Sequence, residues 1–397
     1  MPQRRATIDA IRGLCLVNIF VNHIENGAFT LLSPSRLGFS DSSDIFVLVS
    51  GISTALAARQ ASRQQFGAVA AHLWRRAAHL YAVEAILILS TLGLLATILT
   101  LRGVGGAQAV EIGLLRDHGT ATLLWHALTL GQTVGYSCVL RLYIALMLFA
   151  PILLRLALWR VWAPLPPAIL LWASAGHCDW VLPNSLSGIP FTQTILPWTL
   201  LFTIGIVVGQ GMNLGLRLPC NRWIAGLALG YLASSLAFLM LAPLWPSAQD
   251  WIATRNDRFW FGASKTYLSP LRVIHVLALA YLVMALPKAP LIRMLHQVRR
   301  DHGLAQIGRR SLQVFTIGAL AAVVVAGELL DFAALRLNGA WFPVMLLEAA
   351  LIGLFVGLAL RLARPRQRTA SRPEPAPEHP TTGDRIPDAL RPTPALV

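Results

Sequence analysis

Residues 80–101 read LYAVEAILILSTLGLLATILTL, and Glu84 is the only charge among them. A helix rises about 1.5 Å per residue, so this run is long enough to cross a hydrocarbon core of about 30 Å. Similar runs recur near 8–29, 43–59, 136–157, 163–179, 195–212, 222–244, 268–286, 311–331 and 341–361. The sequence therefore predicts an all-α, polytopic integral membrane bundle of about ten transmembrane helices. The glycine-punctuated apolar piece 121–135 is short for a span and is expected to be interfacial or re-entrant.

Composition points the same way. Of 397 residues, 55% are hydrophobic and 13% charged, about half the charged share of an ordinary soluble domain. That excludes a disordered body and argues against a water-soluble globule. The net charge is +15, and Lys265 and Lys288 are the only lysines among the basic residues. A nucleic-acid-binding domain would combine such an excess with an ordinary apolar fraction, so the expected surroundings are the lipid bilayer and no nucleic acid. Cys15, Cys138, Cys178 and Cys220 are scattered and form no CxxC pair, which suggests neither a zinc site nor a disulfide framework.

The basic residues also set an orientation. One set of connections carries Arg75, Arg76, Arg155, Arg160, Arg222, Arg299, Arg300, Arg309 and Arg310 among others. The opposite set is poorer, with Arg36, Arg102, Arg116, Arg255, Arg258, Lys265, Arg272 and Arg336. By the positive-inside rule both termini are expected in the cytoplasm, which requires an even number of spans. Asp9 and Arg12 interrupt what would be the apolar region of a cleaved signal peptide, so the first helix is expected to stay in the bundle. Residues 1–362 read as one transmembrane domain, and 363–397 as a proline-rich, disordered cytoplasmic tail. No internal repeat is visible, which disfavours an inverted-repeat transporter.

Ionisable groups inside a bilayer are costly and usually functional or paired, so they are the main functional signal. The first run holds Asp9, Arg12, Asn18, Asn22, His23 and Glu25. Arg12 and His23 are eleven positions apart, which on a helix puts them within about 20° of one direction and roughly 16 Å apart along the axis. Asp9, three residues before Arg12, is placed to pair with it. A buried histidine suits general-base work on a hydroxyl, and an arginine on the same face suits the anionic part of a donor. The alternative is a structural Asp9–Arg12 ion pair and a histidine bonded to a nearby carbonyl.

A second concentration is the turn Gly38-Phe39-Ser40-Asp41-Ser42-Ser43-Asp44, followed by Ser50-Gly51. Asp41 reads as a helix N-cap. Asp44 is either a first-turn acid favoured by the helix dipole or a carboxylate that orients His23. Ser50-Gly51 reads as close packing through small residues. A third concentration runs from Lys265 through Arg272 to His275 on the less basic side. Its cations either snorkel to headgroups or bind an anionic acyl group or a sugar. Glu84, Glu328 and Asp331 read as interface residues or arginine partners. Trp251, Trp260 and Tyr267 read as an interfacial aromatic belt or as stacking surfaces for sugar rings.

With these residues in view the sequence resembles the OpgC family, membrane succinyltransferases of osmoregulated periplasmic glucans, within a wider group of acyltransferases bearing Arg-x10-His in the first helix. The matching residues are Asp9-Ala10-Ile11-Arg12-Gly13 with Asn22-His23-Ile24, Gly38-Phe39-Ser40-Asp41 to Ser50-Gly51, and Pro197-Trp198 through Gly205 to Gly209. Lys265-Thr266 with Pro270-Leu271-Arg272 and His275, then Ile307-Gly308-Arg309 with Ser311-Leu312, complete the series in family order over about residues 5–320. Two positions depart from the pattern. Asp44 stands where Glu is usual, and Thr199 where Gln usually follows the Trp.

The resemblance implies acyl transfer across the bacterial inner membrane, from a cytoplasmic acyl-CoA (succinyl-CoA by the family's name) to a hydroxyl of a periplasmic glycan. It implies His23 as the catalytic residue with Asp44 as its orienting partner, and Arg12 with Asp9 as donor-positioning residues. Asn22, Lys265, Arg272 and His275 would bind substrate. No metal and no tightly bound cofactor is expected. A transporter or flippase lined by the same polar stripe is the competing reading, and an anionic-lipid-binding interaction protein is a third.

Overall fold

The computed structural model describes residues 2–24, 27–61, 66–102, 109–216, 219–322 and 341–364, with residues 330, 333 and 336 between the last two stretches. Glu25, Glu328, Asp331 and tail residues 365–397 lie outside the described residues. In chain order the helices are α1 (Pro2–Asn22), α2 (Pro34–Leu37), α3 (Ser42–Ala61), α4 (Phe66–Arg102), α5 (Ala109–Leu128) and α6 (Cys138–Trp159). They continue as α7 (Leu165–His177), α8 (Ile195–Asn213), α9 (Arg222–Leu241), α10 (Pro246–Thr254) and α11 (Pro270–Ala285). Then follow α12 (Pro290–Gln297), α13 (Gly303–Arg309), α14 (Ser311–Ala321) and α15 (Trp341–Ala363). Among the described residues the only β feature is an isolated bridge between Pro183 and Pro190.

Each of the ten apolar runs contains one of these helices. Five are by themselves long and apolar enough to cross a membrane: α4, α6, α8, α9 (with the 3-10 turn to Leu244) and α15. The pair α11–α12, bent by 76°, would make a sixth, while α3 and α14 are shorter apolar helices. The segment expected to be interfacial or re-entrant continues α5 to Leu128, after a break at Gly119, whose φ of 77° is open to glycine but strained for other residues. Prolines open α2, α10, α11 and α12, where a missing amide hydrogen costs no helical bond.

Small residues let the central helices approach closely. A Cβ on Gly51 of α3 would meet the Phe202 carbonyl of α8, and one on Gly205 would meet Leu48 O, so backbone faces backbone along this pair. The packing expected of Ser50-Gly51 is therefore present. In the same way Gly13 of α1 lies against the Leu304 carbonyl of α13, and Gly308 against the Asp9 carbonyl. At one end of α15, Glu348 is buried, and its carboxylate accepts from the Ala28 and Phe29 amides at 2.6 and 3.1 Å. Those amides open the 3-10 turn Ala28–Leu32 that follows α1, so Glu348 fixes the chain just after His23.

One pairing sets the depth of the site. Helices α9 and α11 run antiparallel: the Asn221 amide donates to Tyr281 Oη at 3.0 Å, and Tyr231 Oη donates to the Leu271 carbonyl at 2.9 Å. The start of α11 is thus level with the middle of α9, whose remaining residues reach roughly 15 Å beyond it. The residues at the head of α11 are sunk below that end of the bundle.

Candidate active site

Helix α1 meets α3 along a polar seam. Arg12 Nη2 donates to Ser50 Oγ at 3.4 Å, and Asn18 Nδ2 donates to Ser42 Oγ at 2.8 Å, which fits an antiparallel register. The Tyr143 hydroxyl of α6 lies against Ser50 Oγ and 3.1 Å from the Phe46 carbonyl. The Nε of Arg12 is buried without a hydrogen-bond partner. Asn22 Oδ1 accepts from Ser35 Oγ at 3.5 Å. Asp9 is half-buried near the start of α1.

His23 is the first residue past α1. Its Nδ1 is 2.5 Å from the Ile19 carbonyl, which can only accept, so Nδ1 carries the proton and the Nε2 lone pair is left free. The ring stands edge-on to Tyr136, with centroids 3.8 Å apart and planes at 71°, and Tyr136 Oη donates to the His23 carbonyl at 3.0 Å. Tyr136, in the turn just before α6, stands beside His23, and Tyr143, in the second turn of α6, stands beside the Ser50 partner of Arg12. Both Arg12 and His23 therefore lie on the side of α6. An enclosed cavity of about 10 Å³, room for one water, lies against His23, Tyr136, Phe20 and Phe355.

The second and third sequence concentrations come together around Asp41. Asp41 Oδ2 is 2.9 Å from Lys265 Nζ and 3.0 Å from Arg272 Nη2, and Asp44 Oδ2 is 2.6 Å from the same Arg272 nitrogen. Asp44 Oδ2 also accepts the Asp41 amide at 2.7 Å, and Asp41 Oδ1 accepts the Ser43 amide at 2.8 Å, so Asp41 caps α3 as expected. His275 Nδ1 is 2.7 Å from Ser40 Oγ, and its ring packs near Phe39 and Tyr231. Burial alone would push the Asp41 carboxyl up, but Lys265 and Arg272 together hold it below the usual carboxylate range. The charges of Lys265 and Asp41 also reach the His23 imidazole.

The expected contact from Asp44 to His23 is not made. Asp44, 0% exposed, pairs through Oδ2 with Nη2 of Arg272, 7% exposed, because a buried carboxylate is stabilised more by a guanidinium than by a neutral imidazole. Asp44 Oδ1 and Arg272 Nε are left buried without a hydrogen-bond partner among the described residues. The Ile19 carbonyl takes the orienting contact instead. Snorkelling to headgroups does not describe Arg272 either, since its Nη2 is fully engaged inside. Lys265, with 31% of its side chain exposed, is the more open of the two cations.

Backbone hydrogen bonds hold the loop before α11. Trp198 Nε1 of α8 donates to Lys265 O at 2.8 Å, Thr194 Oγ1 to Thr266 O at 2.5 Å, and Trp172 Nε1 to Leu268 O at 2.8 Å. Trp251 packs against Phe39 and Phe238, and its Nε1 donates to Phe261 O at 2.8 Å. Phe259 meets Trp260 and Tyr267 edge to face, with ring centres 4.6 and 6.5 Å apart.

Several residues of this region carry no sequence signal of their own. Ser50 reads as a packing residue but bonds Arg12. Tyr136, Tyr143 and Glu348 look like ordinary members of apolar runs. Arg141, in the first turn of α6, lies with its guanidinium 3.2 Å from the Phe191 ring centre and donates from Nε to Leu130 O at 2.9 Å. Glu84, buried in α4, is hydrogen-bonded with Ser137, and its Oε2 has no hydrogen-bond partner among the described residues.

Comparison with curated proteins and with solved structures returns no match. A family model described as OpgC protein matches residues 4–367, which contain every residue of the seam and of the ion cluster. The chain belongs to the OpgC family.

Proposed function

We propose that this protein is a membrane O-acyltransferase that moves an acyl group, succinyl by the family's namesake reaction, from acyl-CoA to a hydroxyl of a periplasmic glucan or related glycan. The single observation that carries the reading is the state of His23: Nδ1 is held by the Ile19 carbonyl, which leaves Nε2 as the basic nitrogen. Its family membership and its long apolar helices support a place in the inner membrane. Its basic asymmetry supports cytoplasmic termini, and the count of about ten spans rests on the ten apolar runs of the sequence.

In this mechanism the acyl thioester enters from the arginine-rich side. Arg12, whose buried Nε has no partner, positions the donor along the α1–α3 seam with Asp9 near its start. The acceptor hydroxyl attacks the thioester carbonyl while His23 Nε2 takes its proton. The tetrahedral intermediate then collapses, the C–S bond breaks, and the departing thiolate takes the proton from His23. Lys265 adds positive charge near the developing oxyanion. Asn22 and His275 contact the acceptor, while Asp41 and Asp44 hold Arg272 and the loop that carries Lys265.

The test is mass spectrometry of periplasmic glycans from a null strain complemented with wild type or His23→Ala. The expected result is acylated glycan with the wild type and none with His23→Ala at equal membrane levels. Equal acyl content in both strains would overturn the assignment.

A further inference from the structure

Between the helix pair α9–α11 and the pair α3–α8 runs an apolar groove of about 600 Å³, open on the outside of the bundle. It is lined by Ile52 of α3, Val208 of α8, Ile224 and Tyr231 of α9, and Ala280 and Met284 of α11. Helix α9 follows α8 in the chain, yet it packs chiefly on α11. A small separate core, Ala225 and Ala228 with Ala278 and Leu282, joins α9 to α11, together with the Asn221–Tyr281 and Tyr231–Leu271 hydrogen bonds. The gap is therefore not closed by protein, and its volume is that of a small-molecule site.

The two ends of the groove differ. At one end Tyr231 lines the groove and places its ring against His275, 6.2 Å between centroids. At the other, Tyr281 lines the groove while its hydroxyl accepts the Asn221 amide, so the first residue of α9, Arg222, stands at the mouth. Lys288 lies four residues past Met284 on the same side, and both cations are exposed. The Arg222 guanidinium lies 5.4 Å from the Trp223 ring centre, with no carboxylate paired to it among the described residues, and an apolar slot with two exposed cations at one mouth fits a chain with a negative head.

We propose that this groove holds one acyl chain of an anionic phospholipid, with its phosphate at Arg222 and Lys288. The chain fills the space that α9 leaves open and buttresses α11, the helix that carries Arg272 and His275. Neutral lipid offers the same hydrocarbon but nothing to the two cations, so the slot selects by headgroup charge. Each juxtamembrane cation is expected to favour an anionic over a neutral headgroup by about fivefold.

The test uses full-length protein reconstituted in vesicles of equal phosphatidylglycerol and phosphatidylcholine, extracted in mild detergent, with bound lipid identified by native mass spectrometry. The wild type is expected to retain phosphatidylglycerol several-fold over phosphatidylcholine. The double variant Arg222→Ala with Lys288→Ala should retain the two lipids equally, and Val208→Trp should retain less of both. Ala280→Phe fills the same space from α11 and replaces Val208→Trp if that variant does not fold. Equal retention of both lipids by the wild type, or undiminished retention in the filled-groove variant, would overturn the proposal. Neither measurement depends on acyl transfer.

Discussion

Arg272 Nη2 lies 2.6 Å from Asp44 Oδ2 and 3.0 Å from Asp41 Oδ2, so one guanidinium ties the first turn of α11 to the first turn of α3. The two helices are 228 positions apart at this bond. With Lys265 on the other side of Asp41, the cluster holds two cations and two carboxylates in a nearly closed charge balance. Breaking one member leaves an uncompensated charge in a site that is out of water.

Arg272→Gln is therefore expected to destabilise the protein by about 3–5 kcal/mol, the usual cost of removing one partner of a buried pair. The check is the thermal midpoint in detergent. A shift of less than a degree or two would mean that water reaches the pair.

The Asp44 side chain is fully buried. Asp44→Glu adds a methylene to filled space, at a cost of about 1–3 kcal/mol. Lower thermal stability is expected despite the conserved charge, measured beside the wild type in the same detergent. A stabilised variant would show that the site has slack the packing conceals.

His23→Gln and Tyr136→Phe separate the two functions of that corner. Gln keeps a polar group but supplies no base of suitable strength, so acylated product should fall at least about 100-fold, the low end of a general base's contribution. Tyr136→Phe loses one hydrogen bond to the His23 carbonyl and should keep most activity, with a stability loss of about 1 kcal/mol. Acyl transfer by purified protein to an oligosaccharide acceptor reads both.

Asp41 gives a prediction in pH. Its folded carboxyl lies below the usual range, so its ion pairs contribute stability above the unfolded pKa of about 3.9 and lose it only as pH falls further. The stability difference between wild type and Asp41→Asn should thus be constant from about pH 8 to pH 5. A difference that shrinks steadily between pH 7 and pH 5 would place the Asp41 proton within that window instead.

Gly51→Ala tests the α3–α8 contact. The added methyl would meet the Phe202 carbonyl and the backbone of Gly205 and Ile206, none of which is a flexible side-chain end. Destabilisation of about 1–3 kcal/mol or more is expected from such overpacking, together with lost activity, because Ser50 and its Arg12 partner sit on the adjoining turn. Gly67→Ala, where the added methyl meets open space, should leave stability nearly unchanged.

Much of the fold is legible in the chain, because hydrocarbon demands that apolar segments satisfy their own backbone, and only helices do so locally. Hence ten apolar runs became helices, and Asp41 became a cap. Arg12 and His23 were identified by a local rule, their spacing on one helix. The partners were not legible by the same rules. Nothing near Asp44 in sequence says that its cation is Arg272, and Ser50 carried the appearance of a packing residue.

The chain alone determined that the protein is helical and apolar, where its polar residues fall along each apolar run, and that Arg12 and His23 stand eleven positions apart in the first of them. The tertiary structure decided which groups those side chains meet. It gave Asp44 to Arg272, gave the His23 Nδ1 proton to Ile19, sank the head of α11 to the middle of α9, and left a groove beside it. The reason is physical: helix periodicity acts over a few residues, whereas a buried charge is satisfied by whichever opposite charge the packing of distant helices brings within about 3 Å.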